Sequence, residues 1–72
     1  MDDIRKKRFE LSEKLFKDVI NMKVKSNVTT NDICIDLNLE EDVVSNYFLG
    51  LTKENLYLGI KLLDYLEKKE NI

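Results

Sequence analysis

The 72-residue sequence has no histidine, proline, tryptophan or alanine, only two glycines, and one cysteine. Without histidine, the commonest general base and metal ligand is missing. The lone Cys34 excludes an internal disulfide and fits a reducing compartment, and its apolar neighbours favour a small core residue over a reactive thiol. No phosphate-binding glycine loop or calcium-loop pattern occurs either. We therefore expect no enzyme activity, no cofactor and no metal site.

Long hydrophobic runs are also missing. No apolar stretch approaches the length of a membrane span, and no charged-then-apolar leader opens the chain. We expect a cytoplasmic protein without a membrane partner. Abundant Asn, Lys and Ile beside absent alanine favour an AT-rich genome of bacterial or phage origin. The length allows one domain, residues 1–72, whose core is marginal unless helices pack well or subunits associate.

The middle of the chain lacks positive charge. Residues 1–28 hold eight Lys/Arg against five acids, a net charge of +3, and residues 53–72 balance four against four. Residues 29–52 hold no Lys or Arg and five acids, a net charge of −5. This asymmetry bears on partners rather than on fold. The five acids are Asp32, Asp36, Glu40, Glu41 and Asp42.

Apolar periodicity predicts four helices, at about residues 3–25, 30–37, 40–49 and 53–68. The first is long and carries two apolar stripes, so either it is buried on two sides or one stripe faces a second subunit. The first stripe holds Ile4, Leu11, Leu15, Val19 and Met22. The second holds Phe9, Phe16, Ile20 and Val24. The cluster Arg5-Lys6-Lys7-Arg8 is either a basic arm or the solvated start of this helix.

Local signals predict where the later helices begin and end. Thr29 and Asp32 have the spacing of a capping box, and Val28 and Ile33 that of a hydrophobic staple. Asn38 tolerates the left-handed conformation of a tight turn. At the fourth helix, Thr52 is the predicted N-cap, with Leu51 and Leu56 as its staple, and Gly50 closes the third helix.

The same periodicity predicts which side chains face inward. On the third helix the inward stripe is Val44, Tyr47, Phe48 and Leu51. On the fourth it is Leu56, Gly59, Ile60, Leu63 and Leu66. The three tyrosines are expected at the edge of the core with their hydroxyls in water. An exposed apolar patch is expected from the residues outside these stripes, namely Ile35, Leu49, Tyr57 and Leu58.

The spacing over residues 30–50 resembles the helix-turn-helix of phage repressor and Cro proteins. The positions that carry the resemblance are Thr30, Ile33-Cys34, Asn38-Leu39, Glu40, Val44-Ser45 and Gly50. It implies an all-α, lambda-repressor-like domain of four helices with a long first helix. Departures are Thr30 where the family usually has glutamine, Glu40 where it usually has serine, and Phe48 where it often has glutamate.

The resemblance implies a transcription regulator that binds duplex DNA, as a homodimer through helix 1 or helix 4. The candidate DNA-binding residues are Thr30, Asn31, Asp42, Ser45, Asn46, Lys53, Arg5 and Arg8. The missing cations support an alternative, in which the same fold binds a protein, such as a basic regulator that it antagonises. That surface would consist of Glu41, Asp42, Ser45 and Leu49. The acids at 40–42 also have a structural explanation, because negative charge is favourable in the first turn of a helix.

Overall fold

A computed structural model describes residues 2–70 and confirms the all-α class. Four helices make up the fold, and no strand occurs within these residues. The helices are α1 (Asp2–Ser26), α2 (Thr30–Leu37), α3 (Glu41–Phe48) and α4 (Leu56–Glu70). The predicted long first helix is confirmed. It sets the length of the molecule, since its 25 residues at about 1.5 Å each approach the longest dimension of 40 Å.

The core is small and draws on every helix. The first helix packs mainly against the last, and α2 packs against α3. Seven apolar side chains are buried: Val19, Ile33, Val44, Tyr47, Leu58, Leu62 and Leu66. Four of them come from α1, α2 and α3 together and three from α4, so α4 ties the two helix pairs into one core.

The predicted caps of α2 are confirmed. The Thr29 hydroxyl accepts a hydrogen bond from the Asp32 amide at 3.1 Å, and the Thr29 amide donates to the Asp32 carboxylate at 3.4 Å. Asn38 ends the helix with φ of 54°. At the end of α3, Gly50 has φ of 83°, and the amides of Gly50 and Leu51 donate to carbonyls of the last turn, as in a Schellman motif.

The predicted start of α4 is wrong. Residues 51–54 form a turn, and the helix begins at Leu56. The Asn55 side-chain oxygen accepts from the Leu58 amide at 3.1 Å, so Asn55 rather than Thr52 caps the helix. The Thr52 hydroxyl is buried without a hydrogen-bond partner in the described part of the chain. Leu51 is 66% exposed. It therefore neither forms the predicted hydrophobic staple nor ends the inward stripe of α3.

The inner face of α4 is also rotated from the predicted one. Leu58, expected outside, is buried together with Leu62 and Leu66, whereas Ile60, expected inside, is 60% exposed. Two rows of apolar side chains lie side by side on this helix, and helical periodicity alone does not show which row faces the core. Gly59 and Leu66 are buried as predicted, and the backbone of α4 meets α1 and α3 at Gly59.

The contact at Gly59 involves a buried tyrosine. A Cβ on Gly59 would lie 2.6 Å from the Tyr47 hydroxyl oxygen and 2.7 Å from Cδ2 of Leu15. The Tyr47 ring is fully buried, with the Phe16 and Phe48 rings at 5.6 and 6.2 Å between centroids. Its hydroxyl, expected in water, has no partner within residues 2–70. Burial raises the pKa of this hydroxyl.

Helix α1 is buried only in its middle. Val19 is buried and Leu15, Phe16 and Met22 pack against the core. Much of the two predicted stripes lies outside the core, because residues 3–11 of α1 are exposed and burial begins only at Ser12. The exposed members are Ile4, Phe9, Leu11 and Val24. Burial of α1 on two sides is therefore wrong for its N-terminal half.

Candidate nucleic-acid interface

Helices α2 and α3 are joined by a tight connection. Asn38 takes the left-handed conformation, and the amides of Asn38 and Leu39 both donate to the carbonyl of Cys34. Cys34 and Leu39 are half-buried against the core, as expected for residues between two crossing helices. The turn therefore redirects the chain within three residues, and α3 begins at Glu41.

The outer face of α3 carries most of the predicted contact residues. Glu41, Asp42 and Asn46 are exposed, and Leu49, just after the helix, is 73% exposed. Ser45 is half-buried. At the start of α2, Thr30 is half-buried and Asn31 is exposed. Both ligand hypotheses therefore have accessible side chains on α3, although Ser45 is less accessible than either requires.

The predicted basic contacts lie elsewhere. Arg5 and Arg8 are exposed and line a groove with Glu54 at the start of α4. Lys53 forms an ion pair with Glu13 at 3.2 Å and lies 4.9 Å above the Phe16 ring. Arg5 and Arg8 thus lie on α1, and Lys53 lies against it, so none of the three is on α2 or α3. Sequence spacing gave no sign of the Lys53–Glu13 pair, whose members lie 40 residues apart.

One further lysine near α3 also contacts its own chain. The ammonium group of Lys23 lies 5.3 Å from the centroid of the Phe48 ring. A cation over an aromatic face is worth about 0.5–1 kcal/mol at exposed sites. Lys23 keeps its charge in this contact, whereas the pairing of Lys53 with the Glu13 carboxylate offsets the charge of Lys53.

Two of the five acids in residues 29–52 have structural partners. Asp32 belongs to the capping box, and Asp36 accepts a hydrogen bond from the Tyr65 hydroxyl and pairs with Lys69 at 3.5 Å. The Tyr65 hydrogen bond and, more weakly, Lys69 lower the pKa of Asp36. Burial, followed by the bond to Asp36, raises the pKa of Tyr65 to about 12. This contact joins the end of α2 to α4, and no local sequence pattern predicts it.

The other three acids remain at the start of α3. Glu40 precedes the helix without a side-chain cap hydrogen bond, and Glu41 and Asp42 occupy its first turn. All three are exposed. Their interaction with the helix dipole contributes about 0.3–1 kcal/mol each at low ionic strength. Their charge faces any ligand that approaches α3.

Residues 2–70 contain no group of three or more His, Cys, Asp or Glu side chains placed to hold a metal ion. No helix among them combines the length and apolar character that a membrane crossing requires. No protein-family model, curated protein or solved structure matches the chain.

Proposed function

We propose that this chain is a small helix-turn-helix regulator of transcription that binds duplex DNA in a bacterial or phage-infected cytoplasm. The supporting observation is the α2–α3 pair, joined at the left-handed Asn38, which leaves the outer face of α3 uncovered. Helix α3 would enter the major groove, with Asn46 and Ser45 towards base edges. The amides of Thr30 and Asn31 at the start of α2 would face a phosphate.

The charges predict weak binding with a shallow salt dependence. Arg5, Arg8 and Lys53 are the candidate phosphate contacts, and Lys53 must leave Glu13 to make one. Each neutralised phosphate adds about −0.9 to the slope of log affinity against log salt, so three give about −2.7. Affinity would then fall roughly fortyfold between about 50 and 200 mM salt. A homodimer through α1 or α4 belongs to this proposal, since two copies of α3 can read two half-sites.

The uninterrupted acidic charge favours a second candidate function. Helices α2 and α3 carry no Lys or Arg, and Glu41 and Asp42 lie on the same outer face as the exposed Leu49. Acidic side chains around an apolar one suit a basic protein surface better than a phosphate backbone. In this candidate, Glu41, Asp42, Ser45 and Leu49 bind a protein, and no DNA is bound.

Fluorescence anisotropy with a mixed-sequence duplex separates the two functions. The proposal predicts that the chain binds the duplex at about 50 mM salt and that the affinity falls roughly fortyfold by about 200 mM. It also predicts that Asn46→Ala binds more weakly than the unmodified chain to a DNA sequence selected for tight binding. Absence of binding at the lower salt concentration rejects it.

Charge reversal on α3 tests the second candidate in the same assay. That candidate predicts that the unmodified chain does not bind the duplex, whereas Glu41→Lys/Asp42→Lys does. The matched control is Glu67→Lys/Glu70→Lys, which makes the same change in net charge at exposed positions on α4. Equal binding by both variants would mean that net charge, not the face of α3, controls the interaction.

A further inference from the structure

An apolar groove runs between the N-terminal half of α1 and the start of α4. It consists of two adjoining hollows that share Leu56, one containing Phe9 and the other Leu11, Leu15 and Ile60. Phe9, Leu11 and Ile60 are 64%, 57% and 60% exposed. Exposed apolar side chains that line one continuous groove mark an interaction surface, whereas scattered ones do not.

Charges of both signs border this groove. One hollow is lined by Arg5, Arg8 and Glu54, and the other by Lys14 and Asp18. All five side chains are exposed, and none of them takes part in an ion pair within residues 2–70. The border therefore offers unpaired charges of each sign near one another.

We infer that a second copy of this chain covers the hollow of this groove that is lined by Leu11, Leu15 and Ile60, so that Arg5 and Arg8 stay outside the contact. In a two-fold interface each surface meets its own copy, so residue i contacts residue j while j contacts i. Lys14 then pairs with Asp18 of the second copy, and Asp18 pairs with Lys14 of that copy. A partner of one charge sign would meet a like charge at this border, whereas a second copy meets opposite charges on both sides of the axis.

The small size of the core also favours a second copy of the chain as the partner at this groove. Among the residues that the structure describes, seven apolar side chains are buried, whereas ten large apolar side chains are exposed. A chain of this size buries only about 60% of its unfolded surface, so association adds to a marginal core. This contact specifies the homodimer of the proposed function, but its tests contain no DNA. Failure of the dimer and failure of DNA binding are therefore separate results.

Sedimentation equilibrium of the unmodified chain should give a mass of twice 8.5 kDa. A monomer at concentrations up to about 1 mM, the weak end of specific association, overturns the inference. Leu11→Glu/Ile60→Glu should be monomeric with unchanged helix content, because both side chains are exposed within the chain. The control Val24→Glu changes an exposed apolar side chain of α1 outside the groove and should remain dimeric. A monomeric control, or a dimeric groove variant, places the contact elsewhere.

Complementary charge variants test the pairing itself. Lys14→Glu places two acids against each other across the axis, and Asp18→Lys places two lysines there. Each variant alone should dimerise about tenfold more weakly, since every change acts twice in a two-fold interface. Mixing the two variants should restore the affinity, because both cross-pairs of the mixed dimer are then of opposite sign. Mixing leaves contacts within each chain unchanged, so a mixture as weak as its components overturns the Lys14–Asp18 pairing.

Discussion

Replacement of Gly59 with alanine has two opposite effects on the stability of the fold. In an exposed helix interior the change would stabilise the fold by about 1 kcal/mol, because glycine loses more backbone entropy on folding. At Gly59 the new Cβ would lie 2.6 Å from the Tyr47 hydroxyl oxygen and 2.7 Å from Cδ2 of Leu15. Overpacking of a core costs about 1–3 kcal/mol, and the fully buried Tyr47 ring has little room to move. We expect Gly59→Ala to lower the free energy of unfolding by about 1–2 kcal/mol.

Tyr47→Phe supplies the second arm of a double-mutant cycle. It removes a buried hydroxyl without a partner in the described chain, a group that costs about 1–3 kcal/mol when its hydrogen bond is unmade. The variant should therefore be more stable than the unmodified chain by about 1 kcal/mol. It also removes the shorter of the two contacts at Gly59. In its background Gly59→Ala should cost less, with a coupling free energy of about 1 kcal/mol.

Urea denaturation followed by helical circular dichroism measures all four chains of this cycle, at one protein concentration because association alters apparent stability. Each kcal/mol corresponds to a shift of about 4–8 °C in the melting temperature of a domain this small. A stabilising Gly59→Ala would show that helix propensity dominates and that α4 is not held close at this residue. Strict additivity of the two changes would refute the contact between Gly59 and Tyr47.

Three further predictions concern the turn, the cap and the ionisable contact. Asn38→Ala should lower the free energy of unfolding by about 1 kcal/mol in urea melts, whereas Asn38→Gly should not. Only alanine places a Cβ in an unfavourable left-handed conformation. Equal losses of stability in the two variants would contradict the left-handed turn. Asn55→Ala should cost about 1 kcal/mol as a lost N-cap, whereas Thr52→Val should cost nothing, and the reverse order would restore Thr52 as the cap. Folding raises the pKa of Tyr65 from 10.0 to about 12, so the folded state keeps the proton longer. The contribution of Tyr65 to stability is full below pH 10 and is lost between these values. Tyr65→Phe should flatten this decline in denaturation curves at graded alkaline pH, and an unchanged decline would exclude Tyr65 as its source.

The sequence was most informative where a structural signal lies within one or two helical turns. The bounds of α2 were predicted to the residue, because Thr29, Asp32 and Asn38 each act on backbone groups at most four residues away. The long α1 and the end of α3 at Gly50 follow from equally local signals. The exposed position of Glu41 and Asp42 also followed from the spacing.

The cap of α4, predicted at Thr52 and found at Asn55, is a local error, but the other errors concern contacts between distant parts of the chain. Leu58 rather than Ile60 faces the core because of how α4 packs on the other helices, and no window of α4 contains that information. The pairing of Tyr65 with Asp36 joins residues 29 apart. Lys53 was assigned to a ligand from its position after α3, although the fold offers it a carboxylate on α1. A sequence shows how many cations lie near a helix, but it does not show whether those cations are free to bind a ligand.

The packing of α1 against α4 joins the two ends of the described chain. Helices α2 and α3 lie between them, and Ile33, Val44 and Tyr47 bury their surfaces partly against leucines of α4. A peptide limited to residues 29–51 would leave those side chains in water, and eight-residue helices are too short to persist alone. The surface that would read DNA or a protein therefore exists only when the whole domain is folded. Any event that frays the C-terminal helix also disassembles that surface.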